Sequence, residues 1–253
     1  MVKTYENQMD QIFNFELASG FINSANGGVA SAVNSAYKFS LDEMPDGNYA
    51  TFLTNHDQNR VMTVLNGDVD KAKVAATLLL TAPGTPFIYY GEEIGMSGAK
   101  PDKLIRTPMQ WSAYAMAGFT VGAPWEPLNT DYLAGVNVAT QTDDPASLLS
   151  HYRALIRLRN EHAALRTGSA LMLDTDNPAV FALLRADENG AILALVNLGD
   201  APIRDYALAL EGTPLALREF SLLPLLGTKD VLPLSSQPIF ELPPFAVYIF
   251  QIK

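Results

Sequence analysis

The chain contains no cysteine, and only two tryptophans and three histidines occur among its 253 residues. The absence of cysteine excludes disulfides and thiolate metal sites, and it leaves the cellular compartment undecided. Basic residues are also few, because 17 Lys and Arg stand against 27 Asp and Glu, for a formal charge of −10. Phosphate binding needs a basic surface, so this charge argues against a nucleic-acid partner.

Long hydrophobic runs are absent as well. No run reaches the roughly 18 apolar residues that cross a bilayer, so we expect no membrane contact. The first residues, 1–6, lack the apolar core of a signal peptide, and the localisation stays open. Hydrophobic residues still make up 48% of the chain, which indicates a globular protein with a sizeable core.

Short apolar strands alternate with helical patterns over the first two thirds of the chain, which is typical of βα units. The patterns predict three strands, over residues 12–17, 49–53 and 86–90. They predict helices over about 29–37, from Asp68 to the stop at Ala82-Pro83-Gly84, and from Asp144-Pro145 to about Gly168. A Gly- and Pro-rich loop over 95–144 is longer than the usual connection between two secondary-structure elements.

The last predicted helix has an amphipathic pattern. We predict that Leu148, Leu149, Tyr152, Leu155 and Ile156 are buried and that Arg153, Arg157 and Arg159 are exposed.

After residue 168 the pattern changes to short strands, predicted over 180–184, 192–196, 206–210, 218–222 and 245–252. We therefore predict an α/β domain over 1–168 and a small antiparallel β domain, a sandwich or half-barrel, over 169–253.

The polar residues 55–60 follow the second predicted strand directly. Within this segment lie Asn55, His56, Asp57 and Arg60, so an amide, an imidazole, a carboxylate and a guanidinium stand at one strand end. (β/α)8 barrels build their active sites from residues at the carboxyl ends of strands. In isolation the segment has an ordinary explanation, in which Asp57 caps the next helical turn and His56 is a loop residue.

Asn55-His56-Asp57 after an apolar strand resembles the fourth motif of the α-amylase superfamily, glycoside hydrolase family 13. Further segments resemble the same superfamily in the expected order. They are 8–17 (sixth strand), 83–95 (eighth strand), 106–111 (a loop common in oligosaccharide-acting members), 155–160 (last barrel helix) and 242–248 (end of the C-terminal β domain). The resemblance implies about strands six to eight of a (β/α)8 TIM barrel, followed by a small antiparallel β sandwich.

The resemblance also implies roles for the site residues. Asp57 would stabilise the transition state, His56 would bind a neighbouring sugar hydroxyl, and Asn55, Arg60 and Arg106 would orient these groups and contribute to substrate binding. The implied substrates are α-1,4-glucans or malto-oligosaccharides, cleaved with retention. No cofactor is implied. Calcium is possible in a complete enzyme, but the sequence offers no metal site, and Asp143-Asp144 is better explained by helix capping.

The motifs that carry the family's nucleophilic Asp and acid Glu, on the fourth and fifth strands, are not found before Asn55. We therefore expect this chain to be a C-terminal piece of an amylase-type enzyme that is inactive alone. Three βα units cannot close a barrel, so we also expect self-association or pairing with an N-terminal complementary half. Two alternatives stay open: a non-catalytic carbohydrate-binding or scaffold protein, and a part of a trehalose-forming isomerase or transglycosylase.

Other candidate residues have two interpretations each. Glu92 and Glu93 could face the cleft, or they could anchor loops by pairing with Arg60 or Arg106. The aromatic residues Tyr90, Trp111 and Trp125 could stack on sugar rings, although most loop aromatics pack. Asn14 and Glu16 are predicted to lie on a strand and at its tip, and His151 and His162 to be surface residues.

Overall fold

The computed structural model describes residues 9–44, 47–213, 215, 220–234 and 240–253. A parallel sheet of three short strands forms its first part: β1 (Ile12–Phe13), β2 (Tyr49–Thr51) and β3 (Thr85–Pro86), in the order β1-β2-β3. Ile12 pairs with Tyr49, and Ala50 pairs with Thr85. Helices α1 (Phe15–Gly27) and α2 (Ser31–Glu43) connect β1 to β2, and α3 (Val61–Val64) and α4 (Val69–Thr81) connect β2 to β3.

The first predicted strand is shorter than expected because a helix begins inside it. Asn14 caps α1, since its side-chain oxygen accepts a hydrogen bond from the Leu17 backbone N–H at 2.9 Å. The Asn14 amide also donates to the buried Ser40 hydroxyl at 2.8 Å. The N-cap therefore overrides the apolar alternation of residues 12–17, and Glu16 lies exposed in the first helical turn.

The third predicted strand is also shorter than expected. It pairs only over Thr85–Pro86, with one further bond from Phe87 N–H to the Thr51 carbonyl. The backbone then turns at Gly91, whose φ of +83° suits a residue without a side chain. Beyond it lie single turns of 3-10 helix at Glu92–Ile94, Ala115–Gly118 and Thr130–Ala134 and helices α5 (Asp102–Ile105), α6 (Val138–Thr142), α7 (Leu148–Glu161) and α8 (Ala163–Thr167).

Helix α4 begins as predicted, because the Asp68 carboxylate accepts hydrogen bonds from the Asp70 and Lys71 backbone N–H groups. Its last carbonyl groups have no partner within the helix. Two arginines that are buried supply the donors: Arg159 bonds to the carbonyls of Leu80, Ala82 and Gly84, and Arg185 to that of Thr81. The prediction that Arg159 is exposed was wrong, because these carbonyls draw its guanidinium into the core.

Helix α7 begins three residues later than predicted. Its N-cap is Ser147, whose hydroxyl accepts from the Ser150 N–H at 3.1 Å, whereas Asp144 accepts from Ala146 in the preceding turn. The buried stripe is confirmed at Leu148, Leu149, Tyr152 and Leu155, but Ile156 is exposed.

The second part of the fold is an antiparallel sheet of six strands: β4 (Ser169–Met172), β5 (Val180–Asp187), β6 (Gly190–Asn197), β7 (Phe220–Leu226), β8 (Leu232–Leu234) and β9 (Val247–Ile252). Their order is β4-β5-β6-β9-β7-β8. The predicted hairpin is confirmed, because β5 and β6 pair from Val180–Asn197 to Asp187–Gly190. Residues 206–210 do not form the predicted strand and contribute one isolated bridge, Leu208 to Thr175.

The last two predicted strands were partly correct. The strand predicted over 218–222 is described from Phe220 onward, and Arg218 lies outside the described residues. The final strand begins at Val247 rather than at Phe245, whose φ is +52°.

Both faces of the central strands β5 and β6 are buried. Alternate side chains of β5 and β6, such as Phe181 and Leu183, join the same core as the helices of the first part. Their neighbours, such as Ala182 and Leu184, pack under residues of the loops around Tyr206 and Leu242. Burial on both sides explains why these strands are apolar at nearly every position. The division at residue 168 stays a prediction.

Candidate functional site

The segment 55–58 emerges at the carboxyl end of β2, after the buried residues Phe52, Leu53 and Thr54. Asn55 fixes its shape, because the side-chain oxygen of Asn55 accepts a hydrogen bond from the Asp57 backbone N–H at 2.9 Å. Asn and Asp side chains commonly hold such turns by bonding two residues ahead. His56 and Asp57 are therefore presented to solvent on a defined turn.

Arg106 reaches this turn from a distant part of the chain. Its Nη2 donates to Asp57 Oδ1 at 2.9 Å, and its Nε donates to the His56 carbonyl at 2.9 Å. His56 Nε2 lies 3.4 Å from Asp57 Oδ2. These groups are exposed, so the pairs contribute little to stability, and their effect is to orient the Asp57 carboxylate. The side chain of Asp57 is thus held by Arg106, which disfavours its interpretation as a helix cap.

Asp102 is part of the same cluster and was missed by the sequence interpretation. Its Oδ2 accepts from Nη2 of Arg106 at 2.8 Å, and its Oδ1 accepts from Lys100 at 3.0 Å. These positive partners lower the pKa of the Asp102 carboxyl, with the Lys100 hydrogen bond as the largest cause. The spacing of Asp102 and Arg106, four residues apart on a helical turn, was the available signal.

Arg60 is buried at the end of the segment and contacts the residues after β3. It is only 1% exposed, and its Nη1 donates to the Tyr90 carbonyl at 2.7 Å. Its guanidinium carbon lies 4.7 Å from the ring centroids of both Tyr89 and Tyr90. A guanidinium enclosed in this way couples the end of β2 to the residues after β3, so its contacts fit the orienting role better than contact with a substrate.

Of the two interpretations left open for Glu92, the structure does not support the one in which it faces the cleft. It is buried, and its Oε1 accepts a hydrogen bond from the Tyr152 hydroxyl at 3.1 Å. Burial raises the pKa of Glu92 to about 8 and raises the pKa of Glu93 as well. Among the described residues, the ion pairs of Arg106 involve Asp57 and Asp102, so the predicted pairing of Arg106 with Glu92 or Glu93 is not formed.

The buried Glu92 predicts a pH-dependent stability. The unfolded carboxyl ionises near its ordinary value of 4.5, whereas the folded one keeps its proton up to about pH 8. The folded state therefore binds more protons in this window, and its stability should fall as pH rises from about 4.5 to 8. Glu92→Gln should flatten this fall and raise the melting temperature at pH 8, as thermal unfolding across pH would measure. Glu161→Gln, at the exposed end of α7, is the matched control, and equal pH profiles for both variants would contradict the assignment.

Two further polar residues differ from expectation. His151 is half-buried, because its Nε2 lies 3.0 Å from the Thr77 hydroxyl and 3.1 Å from the Lys73 carbonyl. Burial lowers its pKa to about 4, so it is neutral near pH 7. His162, at the junction of α7 and α8, is also partly buried.

The described residues contain no group of three or more His, Asp or Glu side chains that could hold a metal ion. In the same part of the chain, no helix is long and apolar enough to cross a membrane. The possibility of calcium in a complete enzyme stays a prediction.

The family model of the α-amylase catalytic domain matches residues 2–168. The chain belongs to the α-amylase family. The resemblance inferred from the motifs is thereby confirmed.

Several curated members of the α-amylase family are similar to this chain. Alpha-amylase 3 of Dictyoglomus thermophilum is 33% identical over 203 residues, which cover 78% of this chain and 40% of the relative. An oligo-1,6-glucosidase of Halalkalibacterium halodurans is 34% identical over 58% of this chain and 33% of its own length. The trehalose synthase of Thermus thermophilus is 38% identical over 59% of this chain and 17% of its own.

The crystal structure of an α-amylase from H. orenii aligns with all of this chain and 52% of its own, with a TM-score of 0.81 and 33% identity. A mutant isomaltulose synthase from Erwinia rhapontici NX5 in complex with D-glucose aligns over 87% of this chain and 46% of its own, with a TM-score of 0.68 and 27% identity. These likenesses agree with a partial α/β barrel followed by an antiparallel sheet. The chain thus spans about half the length of the solved relatives that it matches.

Proposed function

We propose that this chain forms about strands six to eight of an α-amylase-type barrel and supplies its transition-state-stabilising carboxylate. In this proposal Asp57 holds the sugar hydroxyls at the cleavage point and stabilises the positive charge that develops on the ring. His56 donates to a neighbouring hydroxyl, Asn55 and Arg60 fix the segment, and Arg106 orients Asp57. The substrates are α-1,4-glucans or malto-oligosaccharides, cleaved with retention.

The observation that carries the proposal is the contact of Arg106 with both Asp57 and His56 at a strand end. One guanidinium bonds the carboxylate of one residue and the carbonyl of its neighbour, which sets the direction of both side chains. Groups that act mainly in the transition state must be oriented before the reaction, and a planar guanidinium with fixed donors is suited to this. The exposure of His56 and Asp57 leaves room for a sugar beside them.

A retaining glycosidase needs a nucleophile and an acid, which are two carboxyl groups about 5–5.5 Å apart. In this proposal another part of the enzyme supplies both. Neither motif was found in this sequence, and the burial of Glu92 removes one substitute. The three-stranded sheet also leaves β1 and β3 as edge strands, beside the exposed rings of Phe13, Phe15 and Phe87. These features support pairing with an N-terminal complementary half, or self-association where that half is missing.

We expect the purified chain to show no measurable hydrolysis of starch or a chromogenic maltoside. A chimera tests the proposal directly: the part of the Dictyoglomus thermophilum enzyme that precedes the matched region is fused to the N-terminus of this chain. The chimera should hydrolyse the maltoside, because it would supply the nucleophile and the acid and would cover the open sheet edge. Asp200→Asn, an exposed carboxylate of the antiparallel part, is the control and should leave the rate unchanged.

Turnover by the isolated chain that Asp57→Asn abolishes would contradict the proposal, since the chain would then carry its own catalytic pair. A folded chimera without activity would also count against it. Product analysis separates the related chemistries: glucose and shorter malto-oligosaccharides indicate hydrolysis. Trehalose or an isomerised disaccharide would favour the isomerase or transglycosylase alternative, to which the similarity to the trehalose synthase points. Sugar binding without turnover in the chimera would favour the carbohydrate-binding alternative.

A further inference from the structure

Trp125 is a large aromatic side chain that remains exposed next to the candidate site. It is 62% exposed, yet two contacts fix its ring. Its indole N–H donates to the Arg106 carbonyl at 3.0 Å, and its ring forms an edge-to-face pair with Phe119 at a centroid distance of 5.0 Å and an angle of 81°. A mostly exposed indole that is nevertheless held in place by two contacts is unusual for a residue whose role is packing.

The position of Trp125 links it to Asp57. The same residue that accepts the indole hydrogen bond, Arg106, holds the Asp57 carboxylate with its guanidinium. One arginine therefore separates the indole from the carboxylate that is proposed to grip a sugar ring. Trp111, the other tryptophan, is held through its backbone instead, by bonds to Ala117 and Ala139.

We propose that Trp125 is the stacking platform of a neighbouring sugar subsite and makes the site prefer oligosaccharides over disaccharides. This inference rests on the proposed function, because it assumes that a glucose unit sits at Asp57. A pyranose ring presents a face of C–H groups, and an indole buries such a face from water while the hydroxyls at the rim stay solvated. Because the ring is already fixed by Arg106 and Phe119, little side-chain entropy is lost when a sugar binds. Neutral sugars also suit this surface, since stacking needs no charge.

The two tryptophans and three histidines of the chain allow each subsite to be observed separately. In the full chain carrying Trp111→Phe, the remaining tryptophan fluorescence reports on Trp125. The imidazole proton resonance of His56, assigned by its loss in His56→Ala, reports on the Asp57 subsite. We expect maltose to shift the His56 resonance only, and maltopentaose to shift the resonance and change the Trp125 fluorescence.

Two substitutions at the platform then measure its contribution. Trp125→Ala should weaken maltopentaose binding about tenfold, the equivalent of ~1.4 kcal/mol, and leave maltose binding unchanged. Trp125→Phe keeps an aromatic face and should retain most of the affinity, which separates stacking from damage to the loop. Trp111→Phe alone should keep the preference for the longer sugar.

The outcomes distinguish the two proposals. Equal maltopentaose affinity in Trp125→Ala and the wild-type chain, with a normal His56 response, would overturn the stacking platform and leave the proposed function standing. Loss of the preference in Trp111→Phe rather than in Trp125→Ala would assign the platform to Trp111 and overturn the inference as well. A His56 resonance that responds to neither sugar would overturn the proposed function, and the platform with it.

Discussion

Asp57→Asn in the chimera is expected to lower kcat by about 10²–10³-fold, which is the loss seen when one preorganised electrostatic group is removed from an active site. The amide is nearly isosteric with the carboxylate, so the Arg106 Nη2 hydrogen bond to position 57 can persist. What disappears is the negative charge beside a developing positive charge, and that interaction is stronger in the transition state than with bound substrate. KM should therefore change much less than kcat.

Steady-state kinetics with the maltoside measures the loss of kcat, and thermal unfolding tests whether the variant is also less stable. Since Asp57 is exposed and its ion pair weak, the melting temperature should stay close to that of the parent chimera. Arg106→Lys is a useful second variant, because a single ammonium cannot bond to both Asp57 and the His56 carbonyl with the geometry of a guanidinium. It should lower kcat as well, but by less. A variant at Asp57 with normal kcat and a reduced melting temperature would instead support a structural role.

Arg185→Met should have the largest effect on stability, about 3 kcal/mol in the free energy of unfolding. Arg185 is fully buried on β5, and its guanidinium donates to the carbonyls of Thr81, Gly168 and Ser169. It therefore joins the C-terminal end of α4 to the start of the antiparallel part. Methionine has a similar apolar volume, but it leaves the three carbonyl groups without these donors, and the carbonyl of Thr81 belongs to a buried residue.

Urea denaturation of the full chain measures this loss. Arg157→Met, on the exposed side of α7, is the matched control and should change stability by less than about 0.5 kcal/mol. Arg185→Lys should fall between the two, because it keeps a charge but cannot reach all three carbonyls at once. Equal denaturation midpoints for Arg185→Met and Arg157→Met would mean that water or a shifted backbone replaces the guanidinium.

Local interactions account for what the pattern predicted correctly in the fold. Asp68 caps α4 with a side chain that bonds two and three residues ahead, and the hairpin of β5 and β6 closes over the turn at Asp187 and Gly190. Where a strand preference and a helix cap compete in the same segment, the strand prediction was wrong. The apolar alternation of residues 12–17 favoured a strand, and the cap at Asn14, reinforced by Ser40 from the next helix, produced a helix instead.

The candidate site divides in the same way. The segment of Asn55, His56 and Asp57 was recognisable because its residues are contiguous and follow a strand. The partner of Asp57 was expected from a family motif, but the bond that Arg106 makes across 49 positions comes from folding. Asp102 was missed although it lies only four residues from Arg106, whereas the indole contact of Trp125 depends on the path of the loop between β3 and α6.

By itself, the sequence determined the family, the order of a βα part and an antiparallel part, and the segment that bears the site. Each of these can be recognised from residues that are contiguous along the chain. Only the tertiary structure decided which polar side chains lie inside. Arg159 and Arg185 are buried because the carbonyl groups at the end of α4 need donors, and Glu92 is buried because Tyr152 and the surrounding core enclose it. Their burial follows from groups that lie 60 to 104 residues away along the chain, and no local pattern encodes such a distance.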